Sequence, residues 1–127
     1  MHRPLTNHTN RILEKHALSS SYWRVLRILE TAESQNFGDI TTALMIEKPA
    51  LTKIVKKLST MEIVEIQRGQ DKREKIVMLT AFGKEKVKAI RSELNPFLES
   101  ALEGLSQEQL NNAIEVLETI QKNIKRY

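Results

Sequence analysis

Four lysines, Lys48, Lys53, Lys56 and Lys57, fall within Lys48–Thr60, a stretch that contains no carboxylate. Arg68, Lys72 and Arg73 follow shortly after it. With a helical repeat the four lysines share one outward arc, which is either a solvated face or a surface for a polyanion. The charge is local: residues 47–75 carry eight basic and five acidic side chains, whereas residues 84–127 carry seven of each. Other reactive groups are sparse. The three histidines, His2, His8 and His16, all lie near the start, and none has a second His at a metal-ligand spacing. Without cysteine there is no thiolate nucleophile, disulfide or Cys-type zinc site. Neither a Gly-rich phosphate loop nor a GxSxG turn is present. The residues therefore predict a binding protein, not an enzyme, with no metal and no cofactor.

The basic arc needs a helix to display it, and the sequence supplies one. Leu51, Ile54, Val55 and Leu58 recur at i, i+3, i+4 and i+7, an apolar stripe opposite the lysines, and Pro49 suits the first turn. Ahead of it, Asn36 is placed to cap a short helix over 37–45 that buries Ile40, Ala43 and Leu44, with Asp39 in its first turn. A short helix, a turn and a basic helix follow helix-turn-helix order, in which the second helix enters a major groove. After it the period changes to two. Residues 64–68 alternate as a half-buried strand, 75–79 are rich in β-branched residues, and Gly69–Arg73 has turn chemistry, so a hairpin with a charged tip is predicted. An arginine at such a tip can reach a minor groove.

The flanking segments read as helices. Residues 5–17 form a short one, and a second runs from about Ser20 to Ala32, with Ser19 as its cap and Leu18 and Trp23 as a staple. Thr80 is placed to cap a fifth helix, in which Pro96 predicts a kink or two abutting helices. In the sixth, Ser106 and Gln109 form a capping-box pair, and Leu110, Ala113, Leu117, Ile120 and Ile124 make a seam that calls for a partner helix. The expected fold is mainly α with a small β-hairpin. At 127 residues the chain suits a single domain. No apolar run approaches the roughly 18–20 residues of a membrane span, and the polar start does not resemble a signal peptide, so a cytoplasmic protein is expected.

The run from Asp71 through Lys84, with Asp71-Lys72-Arg73, an apolar strand, Leu79-Thr80 and Gly83-Lys84, closely resembles the wing signature of MarR-type winged helix-turn-helix regulators. Trp23-Arg24-Val25-Leu26 is similar to that family's second helix, and Ile46–Leu58 to its recognition helix. The resemblance implies a single MarR-like domain over 1–127, with six helices, a winged helix-turn-helix core at about 20–83 and dimerisation helices at about 3–17 and 84–127. It further implies a transcriptional regulator, usually a repressor, that binds a palindromic double-stranded DNA operator as a homodimer. Carried over by position, Pro49, Ala50, Thr52, Lys53 and Lys56 face the major groove. Arg73 enters the minor groove with Asp71 orienting it, and a salt bridge between the two is compatible with that role. Lys48, Lys57, Arg68 and Lys72 complete the expected DNA-binding set.

The family also implies release from DNA by a small phenolic or lipophilic anion, for which His8, Arg11, His16, Tyr22, Trp23 and Arg24 are candidate lining residues; ordinary packing competes for Trp23. The lack of cysteine excludes the branch that senses peroxide by cysteine oxidation. Two departures stand out. The glycine common after the recognition helix is Glu62 here, and no Arg, Asn or Gln lies between Lys48 and Lys57, so specificity is expected to rest on shape, Thr52 and Arg73. The competing expectation is a winged-helix module that binds proteins and not DNA.

Overall fold

A computed structural model describes residues 2–71 and 73–125, with side chains from Asn7 onward. The candidate DNA contact Lys72 lies outside the described residues. The element order is α1 (His2–Lys15), α2 (Ser20–Thr31), β1 (Gln35–Asn36), α3 (Phe37–Leu44), α4 (Lys48–Thr60), β2 (Val64–Arg68), β3 (Lys75–Leu79), α5 (Ala81–Ala101) and α6 (Gln107–Ile124). No described helix is long and apolar enough to cross a membrane. The described chain forms two compact units, one up to residue 94 and one from residue 95 onward.

In the first unit, α1 stops where Ala17 turns left-handed (φ 61°), which lets the Leu18 N–H reach the Leu13 carbonyl at 2.9 Å. Ser19 occupies the N-cap of α2, but its hydroxyl pairs with the Ser21 hydroxyl at 3.0 Å and makes no capping bond. Leu18 and Trp23 are both buried, as a staple requires. The core gathers Leu13, Val25, Leu26, Ile40, Leu51, Val55, Leu58, Ile63, Val77 and Ile90, all fully enclosed.

Asn36 caps α3 through its Oδ1, which accepts from the Asp39 N–H at 2.7 Å. The buried face of α3 differs from the expected one. Phe37 and Ile40 are buried, Leu44 is half-buried and Ala43 is exposed. The cause is β1, a two-residue strand with no readable period: it pairs antiparallel with β3, Asn36 opposite Ile76, and so fixes the direction in which Phe37 enters.

The sheet order is β1-β3-β2, all antiparallel, with β2 and β3 in register from Val64 opposite Leu79 to Arg68 opposite Lys75. Both hairpin strands have the predicted limits. Central Val77 is fully buried, but on β2 only Val64 is, and Ile66 is 44% exposed. The alternation of residues 64–68 predicts half-burial along β2, but as an edge strand it leaves the core after its first residue.

Thr80 caps α5 by accepting from the Gly83 N–H at 2.9 Å. One continuous helix then passes through Pro96, so the two abutting helices do not form. In the second unit the capping box is complete. Ser106 Oγ accepts from the Gln109 N–H at 3.1 Å, and Gln109 Oε1 accepts from the Ser106 N–H at 2.9 Å. Leu117 and Ile124 on α6 are each about 60% exposed, and Leu110 alone in its seam is half-buried.

Candidate nucleic-acid interface

The helix-turn-helix is α3, the three residues 45–47, and α4. Met45 closes α3 in a left-handed conformation (φ 56°), and Glu47 is extended at the start of α4 with Pro49 in the first turn. Burial of Leu51, Val55 and Leu58 orients α4. It turns Lys48, Pro49, Ala50, Thr52, Lys53, Lys56 and Lys57 outward, and all seven are exposed. The exposed N-terminal end of α4 also offers main-chain N–H groups and the positive end of the helix dipole, which suit phosphate.

Where α4 ends, Met61 is the C-cap and Glu62 turns left-handed (φ 63°). The Glu62 N–H donates to the Ser59 carbonyl at 2.9 Å and the Ile63 N–H to the Leu58 carbonyl at 3.0 Å. These two bonds form a Schellman closure whose left-handed position usually holds glycine. Leu58 and Ile63 are both fully buried beneath it. The hairpin is anchored at the same point. The Thr80 N–H donates to the Ile63 carbonyl at 3.0 Å, and the Thr80 hydroxyl donates to the Glu62 carbonyl at 2.6 Å.

At the hairpin tip Asp71 acts on the backbone. Its Oδ1 accepts from the Arg73 main-chain N–H at 3.0 Å, and its carbonyl accepts from the Glu74 N–H at 2.9 Å. Among the described residues no Asp71–Arg73 ion pair forms, so the carboxylate shapes the turn and leaves the guanidinium exposed. Arg68 and Lys75 sit directly opposite across the ladder. Like charges in that position oppose strand pairing. Lys75 is offset by lying over the Phe37 ring, 5.7 Å from its centroid.

Two hollows connect the hairpin to the helices. One, of about 410 Å³, brings Lys48 together with Asp71 and Arg73, and also holds Asn36, Thr41 and Lys75. The other, of about 340 Å³, has Thr52 and Lys56 on one side and Ile66 and Lys75 on the other. Asn36, Thr41 and Lys75 are additions to the predicted set. The Asn36 cap was readable in the sequence, but its approach to the hairpin depends on the unreadable strand β1.

The six residues proposed to line an effector pocket differ in burial, and partners are found for His16, Trp23 and Arg24 among them. Arg11 is exposed, and His8 and Tyr22 are half-buried. His16 Nε2 lies 3.0 Å from Glu93 Oε1, and Lys15 Nζ lies 2.8 Å from the other oxygen of that carboxylate. Hydrogen bonds from Lys15, the larger contribution, and from His16 hold the Glu93 carboxyl below its ordinary range. Trp23 is in the core under Arg91, whose guanidinium is 5.2 Å from the ring centroid and also bonds Glu30 in bidentate fashion at 2.8–3.1 Å. The Glu30 hydrogen bond raises the Arg91 pKa further. Arg24 donates to the Leu44 carbonyl at 3.2 Å and lines a hollow of about 320 Å³ with Arg27 and Arg91.

Helices α2, α3 and α4, a paired hairpin and the outward basic face of α4 define a winged helix-turn-helix protein. Comparison with known proteins is specific: a sequence model of the MarR family matches residues 18–75. The HTH-type transcriptional regulator YwoH of Bacillus subtilis is 33% identical over 106 residues, covering 84% of this chain and 77% of its own. An HTH-type transcriptional regulator of Staphylococcus aureus is 28% identical over 94% of this chain and 84% of its own. The chain therefore belongs to the MarR family of transcriptional regulators. Solved structures of similar fold include NadR in complex with 4-hydroxyphenylacetate, at TM-score 0.85, 23% identity and coverage of 94% of this chain and 85% of NadR. A MarR variant from E. coli complexed with operator DNA is similar at TM-score 0.76 and 17% identity, over 94% of this chain and 86% of its own.

Proposed function

We propose that this MarR-family regulator is a cytoplasmic repressor that binds a palindromic operator as a homodimer and is released by a small phenolic or lipophilic anion. The exposed face of α4 carries the reading. Its carboxylate-free arc of Lys48, Thr52, Lys53, Lys56 and Lys57 is held outward by the buried stripe behind it. In this reading Lys48, Lys53, Lys56 and Lys57 neutralise phosphate, and Thr52 with Pro49 and Ala50 meets base edges. Arg68, Lys72 and Arg73 bring the hairpin to the adjacent backbone and minor groove, with Asp71 shaping the tip. The like-charged Arg68–Lys75 pair supports this, because a phosphate between the two would relieve their repulsion. The effector proposal draws on NadR, whose structure holds 4-hydroxyphenylacetate. His8, Arg11, His16, Tyr22, Trp23 and Arg24 remain its candidate contacts.

Selection of bound duplexes from a random pool tests the reading, with a palindrome of half-sites about 10 bp apart expected. If a dimer neutralises roughly 6–10 phosphates, affinity for the selected duplex falls about a thousandfold or more between 50 and 200 mM salt. Lys53→Glu with Lys56→Glu abolishes binding while circular dichroism stays unchanged. Salt-independent binding, or retention of affinity in the double variant, would count against DNA as the ligand.

A further inference from the structure

Asn36 serves two elements with one amide. Its Oδ1 caps α3, while its Nδ2 donates to Glu74 Oε1 at 3.3 Å, across to the hairpin. Glu74 is the residue after Arg73, and its placement is prepared on the other strand. The Gly69 N–H donates to the Glu74 carbonyl at 2.9 Å, and a Cβ at Gly69 would stand 2.5 Å from the Glu74 carboxylate. Glycine at 69 thus leaves the room in which the carboxylate lies before it reaches Asn36. Both partners are partly withdrawn from solvent. A carboxylate this close to the basic surface opposes binding of a polyanion by simple Coulomb repulsion. Its presence calls for a role that offsets that cost.

We propose that Asn36 and Glu74 form a latch that positions the hairpin tip, and with it Arg73, relative to α3 and α4. The inference rests on the DNA-binding reading above and assigns Glu74 as a positioning residue, not a DNA contact. Below Arg73 the hairpin is held by β1–β3 pairing and by Lys75 over Phe37; among the described residues the Asn36–Glu74 bond is the hold nearest the tip that reaches α3. With it in place the arginine is presented from a fixed base, so less conformational entropy is lost when it enters a groove.

Two substitutions at one position separate the latch from electrostatics. Glu74→Gln removes the charge but keeps an oxygen that accepts from Asn36, so affinity for the selected duplex rises about threefold. Glu74→Ala removes the same charge together with the acceptor, and affinity falls about tenfold. Asn36→Ser retains a capping oxygen for α3 but lacks the amide donor, so it folds normally and also loses about tenfold. In an Arg73→Ala background, Glu74→Ala and Asn36→Ser cause no further loss, and any preference for A/T-rich sequence under the wing disappears in Arg73→Ala, Glu74→Ala and Asn36→Ser but persists in Glu74→Gln. Equal strengthening by Glu74→Ala and Glu74→Gln, with Arg73→Ala still harmful, would overturn the latch and leave the wing's DNA role standing. Full binding by Arg73→Ala would overturn both.

Discussion

Glu62 shows what a single side chain costs when the backbone has to turn. Its φ of 63° lies in the left-handed region, which disfavours an L-residue by about 1–2 kcal/mol relative to glycine, yet the two bonds closing α4 require that conformation. Glu62→Gly removes the strain and adds some unfolded-state entropy, so a net gain of about 0.5–1 kcal/mol is expected in urea unfolding. Glu62→Ala serves as the control: it removes the same charge but keeps the Cβ, and should gain little. Equal stabilisation by both would assign the cost to charge and not to backbone. Glu93 is a second single-residue case. Lys15 and His16 hold its carboxyl below the ordinary range in the folded protein. Its stabilising contribution is therefore complete above the unfolded-state value, near pH 4.3, and is lost as pH falls through the lower folded one. Glu93→Gln should flatten the dependence of unfolding free energy on pH as pH falls below the unfolded-state value. An acid limb with unchanged slope would remove Glu93 from that account.

The junction of α4, the hairpin and α5 works because Gly83 has no side chain. A Cβ there would lie 1.9 Å from the Ile63 carbonyl oxygen, the same oxygen that accepts from the Thr80 N–H. Gly83→Ala should therefore cost about 3 kcal/mol by forcing α5 away from the Schellman closure, measurable as a large drop in denaturation midpoint. Gly38→Ala, whose Cβ meets only Asn36 Oδ1 at 3.4 Å, is expected to be tolerated. A mild Gly83→Ala would mean that the junction yields easily. This junction also separates what the sequence discloses from what it conceals. The stripe of α4, both hairpin strands and the α6 capping box were readable because each depends on residues a few positions apart. The strand β1, the exposure of Ala43 and Ile66, and the reach of Asn36 to Glu74 were not readable, since each depends on pairing between residues 35–36 and 76–77 or on position at a sheet edge. For the binding face, the sequence indicated which side chains point outward. It did not indicate that Lys48 and Arg73 line one hollow.

Across the whole chain the net charge of +4 is unevenly spread: residues 47–75 carry +3, and residues 84–127 are neutral. The neutral part also carries a run of bare apolar side chains, with Ile114, Val116, Leu117, Ile120 and Ile124 all exposed on α6. Water-exposed seams of that length are costly unless covered, and a second copy of the same helix supplies a matching seam. A dimer would also place two basic helices on one duplex, so that binding of the second half-site becomes intramolecular. Leu117→Glu with Ile120→Glu puts charge into the seam without touching the enclosed core of residues 13–90. Sedimentation should then report a monomer, against the dimer proposed for the parent, with helical content unchanged. Affinity for a palindromic operator should fall by about a hundredfold or more, towards that of a single half-site, while affinity for an isolated half-site stays the same. A variant that still sediments as a dimer would move the interface away from α6. A monomer that keeps full operator affinity would show that the two reading helices do not act together.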